Sequence, residues 1–138
     1  MANSVCDIAL VEGPLEVRRL PAGEGAVVEF FGNVRPLEEG RSIIAIEYEA
    51  HRAMAKHQLD VIAREAAKIF SLLEITLYHR IGWVSAGETS LFLRVASLHR
   101  GAAFEASRWI VDELKKRVPI WKKPIFARVA TMAGAELT

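Results

Sequence analysis

Gly25–Val34 (GAVVEFFGNV) carries the strongest pattern in the chain. Its nearly continuous apolar run predicts a strand buried on both faces over much of its length, with Gly32 marking a bulge or a close backbone approach. Val5–Leu10 is β-branched at Val5 and Ile8 and stops at the Glu-Gly-Pro turn of residues 12–14, which predicts an earlier strand. Leu15–Leu20 fits one or two helical turns before the breaker Pro-Ala-Gly-Glu-Gly. RPLEEGRS (35–42) reads as a loop, with Pro36 biasing Arg35 away from helix, and Ile43–Tyr48 alternates as a partner strand. From Ala53 to Phe70 the period changes. Leu59, Ile62, Ala63, Ala66, Ile69 and Phe70 fall on one helical stripe that no Gly or Pro interrupts. Ile75–Ile81 and Thr89–Ser97 read as strands joined by GWVSAGE. Gly101–Arg117 reads as a second helix, with Phe104, Ile110, Val111 and Leu114 inward and Pro119 ending it. IWKKPIFARVATMAGAELT supplies one short strand, or two, and a fraying tail. Strands arrive in adjacent pairs between two main helices, which predicts an α+β fold with a largely antiparallel sheet and not a doubly wound one. There is no internal repeat, and 138 residues suit a single domain spanning 1–138.

Composition narrows the class. With 51% hydrophobic and 25% charged residues the chain is an ordinary globular one. Its apolar runs are far shorter than the roughly 18 residues a membrane span requires, so no membrane partner is expected. The N-terminus lacks a basic region and carries Asp7 within its apolar stretch, which argues against a secretory signal and for a cytoplasmic location. Cys6 is the only cysteine, so a disulfide framework and a CxxC site are both excluded, and it reads as a small buried hydrophobe. The net charge of +1 is a cancellation: residues 1–50 hold four Arg and nine Asp/Glu, whereas residues 99–138 hold eight basic and four acidic residues. A basic last third points to an anionic ligand or partner near the C-terminal elements.

The chemistry available is cationic. Phosphate-loop, dinucleotide-binding, HExxH and GxSxG motifs are all absent. His51, His57, His79 and His99 lack ligand-like spacing, so neither a metal nor another cofactor is expected. The candidates are Arg35 after the buried strand, His99-Arg100 at a strand-to-helix turn, and Lys115, Lys116, Arg117, Lys122 and Lys123 around the end of the second helix. Each has a plainer alternative. Basic residues in a last helical turn oppose the helix dipole, His99-Arg100 fits a cap with a surface ion pair, and Arg35 fits a solvated strand end. His79-Arg80 fits cross-strand packing. Trp83, Trp109 and Trp121 fit core or interface better than a stacking platform. Basic residues without regular aromatic interleaving give little support to nucleic-acid binding.

Five blocks then occur in order: GAVVEFFGNVR at 25–35, IEYEAHRAMA at 46–55, HRIGWVSAGE at 79–88, SLHRGAAFEA at 97–106 and DELKKRVPIWKK at 112–123. Together they closely resemble the large, catalytic subunit of molybdopterin synthase, over roughly residues 5–123. The resemblance implies a hammerhead-type α+β fold and a sulfurtransferase of molybdenum cofactor biosynthesis. It also implies a homodimer that binds a small ubiquitin-like subunit at each end, giving a heterotetramer. That partner carries sulfur as a thiocarboxylate on its C-terminal tail, and the substrate is cyclic pyranopterin monophosphate. Carried over by motif, Asn33-Val34-Arg35 is the strand-end substrate-binding segment, with Asn33 standing where a Lys is common. His99-Arg100 is the substrate-binding pair that reaches a neighbouring protomer's pocket. Lys115 and Lys122 are the catalytic, substrate-binding lysines, and Lys123 is the basic residue that follows. Either lysine could stabilise a developing oxyanion or protonate the departing phosphate oxygen. After Lys123 the chain departs from the family pattern, with Pro124 where an acidic residue is usual; Arg128 is the one basic residue left there to substitute. That departure keeps open a second reading, a non-catalytic paralogue that binds the ubiquitin-like partner.

Overall fold

Strand pairing in the computed structural model follows the apolar runs, over residues 5–17, 23 and 25–128, which are those the structure describes. Among them the elements are β1 (Val5–Glu12), β2 (Ala26–Asn33), β3 (Leu37–Glu38), β4 (Arg41–Ala50), α1 (Arg52–Ile69), β5 (Glu74–Ser85), β6 (Thr89–Ser97), α2 (Arg100–Arg117) and β7 (Ile120–Phe126). The strands run in the order β2-β6-β5-β4-β3, with β1 also on β5 and β7 on β4. Every pair is antiparallel except β1 with β5, so the fold is α+β with a largely antiparallel sheet.

The two helices cover one face of the β2-β6-β5-β1 part. Ala55, Leu59, Ile62, Ala63 and Ala66 of α1 are buried, as are Ala103, Ala106, Ser107, Ile110 and Leu114 of α2. All of these but Ala55 and Ser107 pack with Ile8, Ile75, Leu77, Leu91, Leu93 and Val95 into one apolar core. Alanines at the inward positions let backbone approach backbone closely. This explains why Phe104, predicted to point inward, is instead 63% exposed: it lies next to the Ala103/Ala106 line and cannot join it. Ile69 is likewise exposed at 59%, at the margin of its stripe, whereas Phe70 at the helix cap meets Trp109 at 6.0 Å between ring centroids. A smaller cluster of Val34, Ile43, Ile46 and Val84 forms where β4 crosses the end of β5.

Other expectations need correction. β2 is not buried on both faces: Val27 and Phe31 are exposed because no helix among the described residues covers the face they share, and Phe30, on the other face, is exposed where it lines a cavity. On that face Phe31 sits 5.1 Å from Phe92, and Arg94 donates from Nε and one terminal nitrogen to Glu29. The loop expected at 35–42 contains β3, which pairs Leu37 with Ser42 and Glu38 with Arg41 around the two-residue turn Glu39-Gly40. Both turn residues have positive φ, 51° and 76°, the arrangement that hairpin twist favours. Gly82–Ser85, read as part of a connection, extends β5 instead. Gly32 does mark a bulge, with the register shifting between it and Asn33. IWKKPIF forms a single strand, β7. Residues 15–17 form no regular structure, while the rest of the expected Leu15–Leu20 turn and residues 129–138 of the tail lie outside the described residues. Among the described residues no helix is long and apolar enough to cross a membrane.

Phe92 is fully buried, whereas Phe104 is largely exposed. Phe92→Ala should therefore lower unfolding free energy by about 3–5 kcal/mol, and Phe104→Ala should change it by less than about 0.5 kcal/mol. Urea titration of the two variants checks this; equal losses would place Phe104 in the core after all.

Candidate functional site

A cavity of about 630 Å³ opens where the β2 end, β4, β5, β6, the last turn of α2 and β7 converge. Four charged residues line it among the described residues: Arg35, Glu38, Lys115 and Lys122. Its apolar and neutral polar wall includes Phe30, Tyr48, His79, Ser90 and Leu114.

Local structure explains each placement. The bulge at Gly32/Asn33 ends β2 and turns Val34 inward to 2% exposure. Val34 N–H donates to the Glu88 carbonyl at 2.9 Å, and Gly87 N–H donates to the Val34 carbonyl at 2.7 Å. This lacing to the β5–β6 turn fixes Arg35, the next residue, at the cavity rim. Asn33 also lines the cavity, its side-chain oxygen accepting from the Thr89 hydroxyl at 2.7 Å. On α2, buried Leu114 anchors the last turn and leaves Lys115 at the opening. Val118 N–H caps that turn on the Leu114 carbonyl, Pro119 ends the helix, and β7 begins at once against β4. Lys122 then falls opposite Tyr48, on the cavity side. The seven-residue interval from Lys115 to Lys122 is thus folded back by a single helix-to-strand turn.

The sequence candidates divide accordingly. Asn33, Val34, Arg35, Lys115 and Lys122 meet in the cavity. Lys123 pairs with Glu47 in register and so points to the opposite face of the sheet, outside this cavity. His99 and Arg100 are exposed at the start of α2, His99 making no side-chain cap bond. At 1.5 Å per residue, Arg100 lies about 22 Å from Lys115 along the helix. One chain cannot bring both to one ligand. Of the plainer readings, ion pairing suits Arg117, which donates to Glu65 at 2.7 Å, and Lys116, which sits 3.5 Å from Glu113. Arg80 is buried and paired with Glu88 at 3.2 Å, a tie within the β5–β6 hairpin. Among the described residues neither Arg35 nor Lys115 has a carboxylate partner, and no group of three or more His, Cys, Asp or Glu side chains is placed to hold a metal.

Four lining residues were not singled out as cavity residues from the sequence. Glu38 accepts from the Lys122 ammonium at 3.0 Å; Glu38 is mostly shielded, while the lysine side chain is half-exposed. Such a partly exposed pair is worth about 0–1 kcal/mol and exchanges readily for a ligand. Tyr48 donates to Ser90 at 3.2 Å, and Ser90 donates to the Gly32 carbonyl at 3.3 Å. His79 meets the Tyr48 ring edge-on at 5.2 Å and approaches the Arg80 carbonyl through Nδ1 at 2.6 Å. A carbonyl only accepts, so Nδ1 carries the proton and Nε2 is left as an acceptor. Burial pushes the His79 pKa down and so favours the neutral imidazole, while the bond to the Arg80 carbonyl partly opposes that shift. The usable signal for Tyr48 and His79 was strand alternation within their blocks; for Glu38 it was the Glu-Gly turn that follows it.

Comparisons with known proteins agree with one another. The family model described as MoaE protein matches residues 8–117. A rice (Oryza sativa subsp. indica) protein named molybdopterin synthase catalytic subunit is 44% identical over 110 residues, covering 80% of this chain and 56% of the relative. The chain therefore spans little more than half the length of that relative. The crystal structure of molybdopterin synthase from Staphylococcus aureus superposes with a TM-score of 0.78 at 31% identity, covering 85% of this chain and 89% of that one. A complex of subunits 1 and 2 of molybdopterin-converting factor from Helicobacter pylori gives a TM-score of 0.61 at 25% identity, covering 75% and 71%.

The His79 shift has a stability consequence. Its folded pKa lies below the ordinary 6.5, so the stabilisation is present above that value and is lost as pH falls through the lowered one. Urea unfolding at successive pH values should show a steeper acid loss for the wild-type chain than for His79→Gln. Parallel curves would mean that His79 protonates as freely folded as unfolded.

Proposed function

The chain belongs to the MoaE protein family, and on that premise we propose that it is the catalytic subunit of a molybdopterin synthase. It carries out two sulfur transfers to cyclic pyranopterin monophosphate, each from the C-terminal thiocarboxylate of a small ubiquitin-like subunit whose acyl end is returned by water to a carboxylate, and together they form the dithiolene of molybdopterin and open the cyclic phosphate. The observation that carries this reading is the cavity itself, with Arg35 and Lys115 lining it and no carboxylate paired to either among the described residues. Cations held without counter-ions in a partly enclosed space suit a site that must take anions.

The reaction brings an anionic sulfur donor to an anionic phosphate. Their repulsion has to be cancelled by fixed positive groups, which cost no reorganisation at the moment of transfer. Arg35 offers a planar fork for phosphate oxygens, and Lys115 and Lys122 offer ammonium groups. Insertion of the partner's tail holds the sulfur near the pterin side-chain carbons and replaces a bimolecular encounter by a positioned one. The lysines stabilise developing oxyanions or give a proton to the departing phosphate oxygen. No cysteine nucleophile is required of this chain, whose one cysteine, Cys6, lies in β1 beside Ile75. Substrate and sulfur carrier are both small or mobile enough to enter by the open side.

His99 and Arg100 enter this scheme through a second copy. The distance along α2 separates them from their own chain's cavity, and the uncovered β2 face with exposed Val27 and Phe31, flanked by exposed Leu98, is apolar surface suited to a self-contact. A homodimer with a small subunit at each end follows, the heterotetramer implied by the family.

Reconstitution with a thiocarboxylated small subunit and cyclic pyranopterin monophosphate tests the function. Dithiolene product is expected, and Lys115→Ala or Lys122→Ala should each lower its rate by about 100-fold or more. Partner binding without product would instead identify a non-catalytic paralogue. Mixing tests the shared site. Equal amounts of Arg100→Ala and Lys115→Ala chains, each inactive alone, should regain about a quarter of wild-type activity, since half the dimers would carry one intact cavity. No recovery on mixing would mean that each cavity is built by one chain.

A further inference from the structure

Phosphate and thiocarboxylate account for the cations of the cavity and leave its carboxylate unexplained. Glu38 is the one acidic residue among the described residues that line it. Its side chain is only 18% exposed, and the β3–β4 hairpin holds its backbone through the Glu39-Gly40 turn and the Ile43 N–H to Pro36 carbonyl bond at 2.9 Å. A carboxylate fixed there opposes anion binding, so a ligand that fits this cavity has to bring hydrogen-bond donors to it.

We propose that Glu38 is a specificity-determining residue that accepts the paired N–H donors of the substrate's amino-pyrimidinone edge. The inference rests on the reading of the substrate as a pterin phosphate. The exocyclic amino group and the adjacent ring N–H of a pterin lie side by side and point the same way, like one face of a guanidinium, and a carboxylate accepts both in parallel. Glu38 meets that requirement. Oε1 receives the Lys122 ammonium at 3.0 Å, and Oε2 receives no donor among the described residues. The aromatic side chains of Phe30, Tyr48 and His79 line the same cavity and provide surface for a flat bicyclic ring.

Lys122 and Glu38 are then each other's placeholder. In the empty cavity the ammonium neutralises the carboxylate. When the ring edge takes Glu38, Lys122 is released toward the anionic end of the substrate and the incoming sulfur. Two charges exchange partners and neither is left unpaired, so substrate binding itself arms the lysine. A cyclic phosphate with a different base or none would leave Lys122 held by Glu38.

Calorimetric titration of the assembled complex of both subunits, wild type and Glu38→Gln, tests this with three probes. They are cyclic pyranopterin monophosphate, a phosphate-free pterin alcohol, and a cyclic phosphate lacking the pterin. The amide puts a donor where the ring edge needs an acceptor, so both pterin probes should bind about 10–100-fold more weakly to the variant. The pterin-free phosphate should bind as well as before or better, because Lys122 is released. The ratio between probes does not depend on the folded fraction, and Glu38→Ala should shift it in the same direction. Unchanged pterin affinity, or equal weakening for all three probes, overturns the role of Glu38 and leaves it a tether for Lys122. A wild-type complex that fails to bind cyclic pyranopterin monophosphate at all overturns the substrate reading, and this inference with it.

Discussion

One strand belongs to two sheets, and the site exists because it does. The first half of β5 lies between β1 and β6, whose pairing with it ends at Ile81 and His79 respectively. Its last four residues, Gly82–Ser85, pair instead with β4. The change of partner falls at Gly82, whose φ of 88° is open to glycine and strained for any residue with a Cβ. No neighbouring atom would obstruct a Cβ there, so backbone conformation and not space is the constraint. Where one set of partners stops and the next begins, the sheet cannot close on itself. The gap is walled by the residues at the switch, with His79 on one side and Tyr48, paired to Gly82, on the other.

That geometry lets the cavity be neutral at its inner wall and cationic at its rim. Polar groups on the wall satisfy one another or the backbone: Tyr48 through Ser90 to the Gly32 carbonyl, His79 through Nδ1 to the Arg80 carbonyl. The wall is thus preorganised and carries no charge of its own. The cations arrive on element ends, Arg35 just beyond a bulged strand and Lys115 on the last helical turn. An element end can place a charge at the mouth of a cavity without burying it, which spares the desolvation cost of an unpaired buried ion.

Much of this was legible in the sequence, and the misses share a cause. The period of each long element fixed its type, and β6 was read to the residue. The five motif blocks led to Arg35, Lys115 and Lys122. What periodicity could not report was which apolar face meets nothing in a single chain. β2 reads as doubly buried because its composition is that of a buried strand, yet the cover for Val27 and Phe31 is not supplied by the described residues of this chain. Phe104 and Ile69 were misplaced because a helical stripe has margins, and alanines on α2 set its inward line more sharply than a bulky neighbour can. Glu38 was hidden in a loop reading. Its importance comes from a register, Glu38 opposite Arg41, that brings it within reach of Lys122 from 84 positions away along the chain.

The uneven distribution of charge along the chain takes on a structural meaning. Three carboxylates of the acidic first third pair with cations of later segments: Glu12 with Arg52, Glu29 with Arg94, Glu38 with Lys122. These contacts tie the early strands to elements that follow them. They also draw on the basic surplus selectively. Arg94 is consumed on the sheet face, Arg117 is consumed by Glu65 across the helices and by Glu113 on its own helix, and Arg80 is consumed inside the hairpin by Glu88. Among the described residues Arg35 and Lys115 are passed over. A net charge of +1 is therefore compatible with a cationic cavity, because among the described residues only one acidic side chain, Glu38, lines it beside Arg35, Lys115 and Lys122. The one carboxylate among the described residues that does reach the cavity, Glu38, is paired to Lys122, so the local charge balance there is set by that pair.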